Sequence, residues 1–176
     1  MRLTLKNILP FSFALLLFGC SGSNTSLNEK LRAAVTEGEV GAQGYKTIQM
    51  ADLTDFEWDV MYYFQPNEDE KAISDVLGFK WEGAEVPENH RRLLFVKEQE
   101  VVSYVDYYYK DFPLFVYGCE GDKWIYPKSR TNFASFKYCS GEKEIYTFIP
   151  VQCVENIRML MDNKCPEGGP ATALAE

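Results

Sequence analysis

DFEWDVMYYFQPNEDEKAISDVLGF, residues 55–79, changes its hydrophobic period in mid-course, and that change sets the fold class. Phe56, Trp58, Val60, Tyr62 and Phe64 alternate with Glu57, Asp59, Met61, Tyr63 and Gln65. A period of two is that of a strand with one buried face, and Pro66 ends it. Asn67 then predicts the start of a helix. Its side chain can accept from the free first-turn amides, and Glu70 three residues on completes a capping box. Glu68 and Asp69 add negative charge at the positive end of the helix dipole. Ala72, Ile73, Val76 and Leu77 form the apolar stripe, and Gly78 is a natural residue just past the end.

Downstream of this strand and helix, residues 83–90 read as a polar loop and the chain turns to strands. Residues 92–97 and 101–108 flank Glu98, Gln99 and Glu100 as a hairpin. Residues 114–118, 123–126, 133–138 and 144–149 follow, with Gly121 and Gly141 supplying turns. Residues 154–161 read as a closing helix with Cys153, Ile157, Leu160 and Met161 on one side. The expected fold is α+β: an antiparallel sheet, a short helix after the first strand, and a C-terminal helix packed on one face. Four segments are expected: a signal peptide over 1–19, a lipidated flexible tether over 20–44, a single α+β domain over 45–163, and a disordered tail over 164–176. The tether is expected to contain a short helical stretch around 27–36.

The N-terminal segment sets the address. Residues 1–7 carry Arg2 and Lys6 without an acid, residues 8–18 are almost wholly apolar, and Leu17, Phe18 and Gly19 precede Cys20. A basic start, a short apolar run and a small residue before the cut make a secretory signal. A Cys directly after the cut marks a bacterial lipoprotein, with Cys20 acylated. Phe18 departs from the small or β-branched residue usual at its position. At 1.5 Å per residue the apolar run spans about 16 Å, short of a hydrocarbon core of about 30 Å, so it does not read as a membrane span. Ser21, rather than an Asp, suggests an outer-membrane protein facing the periplasm in a Gram-negative source.

Removing residues 1–19 leaves 157 residues, enough for one domain with a hydrophobic core. Basic residues fall from 18 to 16 while the acids stay at 26, so the mature chain has a formal charge of −10. That charge excludes nucleic acid as an expected partner, leaves membrane attachment to the acyl chains, and favours a basic protein partner. Cys119, Cys139, Cys153 and Cys165 remain after lipidation, an even number in an oxidising compartment. Their spacings of 20, 14 and 12 residues lack the close pairs of a zinc site, so disulfides are expected and no metal or cofactor is. Three pairings are open. A helix over 154–161 would hold Cys153 and Cys165 about 14–18 Å apart, beyond disulfide reach, which favours Cys153 pairing with a sheet cysteine.

The stretch over 52–112 resembles a segment recurring in small bacterial lipoproteins and exported proteins of unknown function. In them a D-[FW]-x-W-D strand precedes a proline, a short helix, an L-G-F-x-W turn and a hydrophobic hairpin ending near Asp-Phe. Asp55, Phe56, Trp58, Asp59, Pro66, Leu77, Gly78, Phe79, Trp81, Asp111 and Phe112 are the matching positions. The resemblance implies export and a small α+β domain, and carries no activity to transfer.

Catalytic signals are thin. His90, the single histidine, stands in the polar loop ENHRR. Glu57 and Asp59 share a face of the first expected strand, which would suit an acid–base pair in a carboxylate-dependent hydrolase or simply a solvated face. The chain is therefore not expected to be an enzyme. The aromatic hairpin is the other candidate. Tyr104, Asp106, Tyr107, Tyr108 and Tyr109 would give contact area at low entropy cost, partly exposed, for a basic envelope or secreted protein. The function expected is a lipid-anchored, non-catalytic protein-binding lipoprotein of inhibitor or immunity type. A structural accessory of an outer-membrane assembly machine is the alternative.

Overall fold

A computed structural model describes residues 22–119 and 124–166. The elements are α1 (Thr25–Thr36), β1 (Lys46–Gln49), α2 (Met50–Leu53), β2 (Val60–Phe64), α3 (Glu70–Leu77), β3 (His90–Lys97), β4 (Glu100–Tyr108), β5 (Leu114–Val116), β6 (Ile125–Pro127), β7 (Asn132–Ser135), β8 (Lys137–Ser140) and β9 (Lys143–Pro150). Two 3-10 segments, Lys128–Arg130 and Val151–Asp162, complete the chain. The α+β class stands. The single sheet becomes two: β4-β3-β2-β6, and β1-β7-β9-β5 with β8 also on β9. The strands are antiparallel except β5, which pairs parallel to β9.

The two sheets face each other across a central core, and each outer face carries its own cover. Met61, Tyr63, Leu93, Phe95, Val105 and Tyr107 from the first sheet meet Ile48, Leu114, Val116, Phe133 and Phe148 from the second. The Phe133 and Phe148 rings stack with centroids 4.0 Å apart. On the far side of the first sheet, Phe64, Leu94, Val96 and Tyr104 are covered by Ile73 and Leu77 of α3, by Trp81 and by Val86. On the far side of the second, Ala134, Phe136, Tyr138 and Ile149 are covered by Val154 and Ile157. The expectation that β2 buries one face is therefore corrected. It is sandwiched, so Met61 and Tyr63 enter the central core while Tyr62 and Phe64 point toward α3. The strand also begins only at Val60; Phe56 and Trp58 lie before it, with Trp58 in the core.

The cap of α3 also differs. Asp69, not Asn67, is the N-cap, its carboxylate accepting from the Ala72 amide at 2.8 Å. Asn67 sits at φ 63°, because its amide donates to Val86 O while Glu68 O accepts from the Val86 amide. This pairing holds the 65–69 turn out of helical geometry and places Val86, in the loop expected to be polar, in the core. Gly78 ends the helix at φ 77°, and Val76 is exposed rather than part of the buried stripe.

The expected strand over 133–138 is β7 and β8, which share one register along β9 and are interrupted at Phe136. There the Thr147 hydroxyl stands in the ladder, accepting from the Phe136 amide and donating to its carbonyl, both at 3.0 Å. Gly141, at φ 62°, turns β8 into β9 as expected. The closing helix is 3-10, not α. Val151, Val154, Ile157 and Leu160 recur every third residue, and a 3-10 helix, at three residues per turn, puts them all on the sheet.

The boundary of the domain is corrected at its start. Residues expected as flexible tether carry α1, whose Leu27, Leu31 and Val35 are buried in the central core. Ahead of it, the Asn24 amide donates to Tyr104 O at 2.8 Å and Ser23 Oγ accepts from the Asp106 amide at 2.8 Å, so this segment lies along β4. Cys20, Gly121 and most of the expected tail lie outside the described residues. Among the described residues no helix is long and apolar enough to cross a membrane.

Candidate functional site

The hairpin tyrosines do not share a surface. Alternation along β4 sends Tyr107 into the central core, fully buried, with its hydroxyl donating to Leu114 O at 2.9 Å. Tyr104 goes to the opposite face, its ring edge-on to Trp81 at 5.7 Å. Asp106 is occupied by the buried Arg92 guanidinium, at 2.7 and 2.8 Å. Only Tyr108 and Tyr109 are half-exposed: Tyr108 lies against His90, and Tyr109 lies under the Arg91 guanidinium. The expected contact patch is thus corrected to two core residues, an internal counter-ion and two edge residues.

Buried tyrosines, Tyr107 among them, instead set an alkaline limit. Burial pushes the Tyr63 phenol up to about 12 from an ordinary 10.0, and the nearby Arg91 charge opposes that rise. Burial also raises Tyr107 and Tyr117, the latter further through its 3.0 Å contact with the Tyr138 hydroxyl. A raised folded-state value means that the unfolded chain loses the proton first. The contribution of these phenols to stability should be constant below pH about 10 and fall between pH 10 and 12, by about 2–3 kcal/mol for Tyr63 alone. Urea midpoints at pH 9 and 11 check this, with Tyr63→Phe reducing the difference; equal wild-type midpoints would overturn it.

The carboxylate pair also separates. Glu57 precedes β2 and pairs with Lys128 at 3.3 Å, while Asp59 Oδ2 accepts from the Glu98 amide at 2.9 Å. Each is engaged by its own partner, and no shared strand face aims them at one substrate. His90 opens β3, its Nδ1 2.9 Å from Glu88 O. The four cysteines form two disulfides, Cys119–Cys153 and Cys139–Cys165. Cys153 and Cys165 do not pair. Cys153 takes Cys119, just beyond β5, and the strand cysteine Cys139 takes Cys165.

The site that sequence reasoning missed is the outer edge of β1. Met50 N donates to Thr131 O at 3.0 Å, and β1 continues the same antiparallel register to β7. Hydrogen-bonded pairs alternate in such a ladder, so Lys46 and Ile48 turn their backbone groups to β7 and Thr47 and Gln49 turn theirs outward. Beside them runs a groove of about 510 Å³, walled by Ala34 of α1, by Glu39, Gly41 and Gln43, and by Asp52 and Leu53 of α2. Its charged walls are Glu39, Asp52 and Lys46. Lys46 is turned away: Nζ donates to Val35 O and, at 2.7 Å, to Glu37 O, closing the C-terminal end of α1. Burial lowers its pKa, with the Glu37 charge opposing. The groove is therefore acidic and floored by free strand edge. The start of that edge is closed, since Gly41 N donates to Tyr45 O at 3.1 Å.

No protein-family model, curated protein or solved structure matches the chain.

Both edges of the first sheet are less accessible. Ser23 and Asn24 cover β4, and β6 is three residues long and ends in Pro127. The four residues K-T-I-Q carry too short an alternation to have marked β1 in the sequence, and nothing local says that a strand will stand at a sheet edge.

Proposed function

We propose that this chain is a lipid-anchored, non-catalytic binding protein of the bacterial envelope, of inhibitor or immunity type, that takes an extended basic segment of a partner protein along β1. The observation that supports it is the pair of outward-facing residues Thr47 and Gln49 beside Glu39 and Asp52. An added strand would satisfy the edge amides and carbonyls, and basic side chains would meet the acidic walls. The formal charge of −8 on the whole chain favours the same partner sign. Acylation at Cys20 would leave two residues, Ser21 and Gly22, before Ser23, a reach of at most about 11 Å. The twelve residues of α1, about 18 Å long, then separate the anchored end from Lys46 and the groove.

The test is capture from envelope extract by the full chain in detergent, at low and high salt, compared with two variants. Thr47→Pro removes an outward N–H and leaves the β1–β7 ladder intact, since proline is tolerated where the amide faces solvent. Asp52→Lys reverses the wall charge. The expected result is a basic partner held by wild type, weakened by salt, and lost from both variants at unchanged thermal stability. Equal capture by Thr47→Pro would overturn strand addition.

A further inference from the structure

At the end of the first sheet where β2 leaves, β3 enters and β4 leaves lies another hollow, of about 280 Å³. Arg91, Tyr109, Lys110, Asn67, Asn89 and Glu88 line it. Arg91 is half-buried, stacked with its Cζ 4.8 Å from the Tyr109 ring centre, and one Nη donates to Gln65 Oε1. No carboxylate among the described residues pairs with it, although the chain has 26 acids to 18 bases. Its sequence neighbour shows what this chain does with a guanidinium it means to neutralise: Arg92 has both Asp106 oxygens and the carbonyls of Ala84 and Glu85. Arg91 Nε is buried with no acceptor, an unusual state for a donor on a charged group.

The frame around it is specific. Asn67 and Asn89 both adopt left-handed backbone, at φ 63° and 59°, where glycine is easier. Asparagine at both places keeps an amide side chain on the hollow. Asn89 O accepts from the Tyr109 amide at 2.9 Å, which ties the Arg91–Tyr109 stack to the loop.

We propose that Arg91, supported by Lys110 and the amides of Asn67 and Asn89, forms a binding site for a carboxylate group. The planar guanidinium is pre-oriented by its stack, and its Nη donors beyond the Gln65 bond form a fork that a planar carboxylate fits. Two cations against Glu88 suit a monoanion better than a phosphate dianion. The carboxylate could belong to a peptide terminus or to a small organic acid. The site is separate from the β1 groove and does not depend on its role.

The experiment follows the backbone amide resonances of Asn89 and Tyr109 in the full chain in detergent, which every variant retains. The Arg91 side-chain Nε–Hε resonance, assigned by its loss in Arg91→Lys, is a second reporter in wild type. The probes are acetate, an acetylated dipeptide as free acid, the same dipeptide as amide, and inorganic phosphate. The expected result is a saturable shift with acetate and free acid and none with the amide. Affinity should fall about 10- to 100-fold in Arg91→Gln, the range of a charge-assisted hydrogen bond, and less in the exposed Lys110→Gln. Tighter binding of the free-acid peptide than of acetate identifies a peptide terminus; equal binding identifies a small acid. No saturable shift with either carboxylate, tighter binding of phosphate, or full affinity in both variants overturns the proposal.

Discussion

Replacing Asp106 by Ala should lower the free energy of unfolding by about 3–5 kcal/mol, the cost of leaving a buried charge without its partner. The Arg92 side chain is 1% exposed, with Asp106 bonded to both Nε and Nη2. Its guanidinium lies over Tyr104 at 4.5 Å and Trp81 at 5.6 Å, so neither water nor another acid can replace the lost carboxylate without opening that cluster. The Arg92→Met, Asp106→Leu double variant should recover part of the loss, because it removes the charge with its counter-ion. Asp75→Ala breaks the exposed Lys71–Asp75 pair and should cost no more than about 0.5 kcal/mol. Urea unfolding at neutral pH measures all three. An Asp106→Ala midpoint level with that of Asp75→Ala would show that the pair is not buried as described.

The second large effect is on the disulfides. Cys119–Cys153 closes 34 residues and Cys139–Cys165 closes 26, with Cα separations of 5.4 and 4.9 Å. Loop-closure entropy assigns each about 3.5–4 kcal/mol, a large part of the roughly 5–15 kcal/mol of a typical domain. Both bridges end in or just after Val151–Asp162, which buries fully only Val154 and Ile157. The Cys119→Ser, Cys153→Ser variant should therefore lose about 3–4 kcal/mol, and amide exchange should rise first in that 3-10 segment rather than in β3 or β4. An unmoved urea midpoint, or exchange rising evenly through both sheets, would contradict this assignment.

The partner for Arg92 was not legible in the sequence, where Asp106 read as one of several exposed groups on a tyrosine-rich strand. Strand alternation does place Tyr104 and Asp106 together on one face. It does not say that α3 and Trp81 will cover that face, nor that Tyr107 meets a second sheet on the other. The period-three run of Val151, Val154, Ile157 and Leu160 was present in the sequence and distinguishes a 3-10 segment from an α-helix, but a helical pattern of three and four spacings matched much of the same stretch. The free edge of β1 was out of reach, because edge position follows from which strands find partners and not from residues 46–49 themselves.

The sequence by itself determined the α+β class, α3 with its Gly78 terminus, the β3–β4 hairpin, and the disulfide use of Cys119, Cys139, Cys153 and Cys165. Each rests on short-range periodicity, turn chemistry or composition, which act between near neighbours. Only the tertiary structure decided that there are two sheets, that the 23–36 segment belongs to the fold, that β5 runs parallel to β9, and which cysteines pair. It alone turned the backbone groups of Thr47 and Gln49 outward and left Arg91 with no carboxylate partner among the described residues. Those outcomes depend on contacts between residues far apart in the chain, where burial and hydrogen bonding are satisfied for the molecule as a whole.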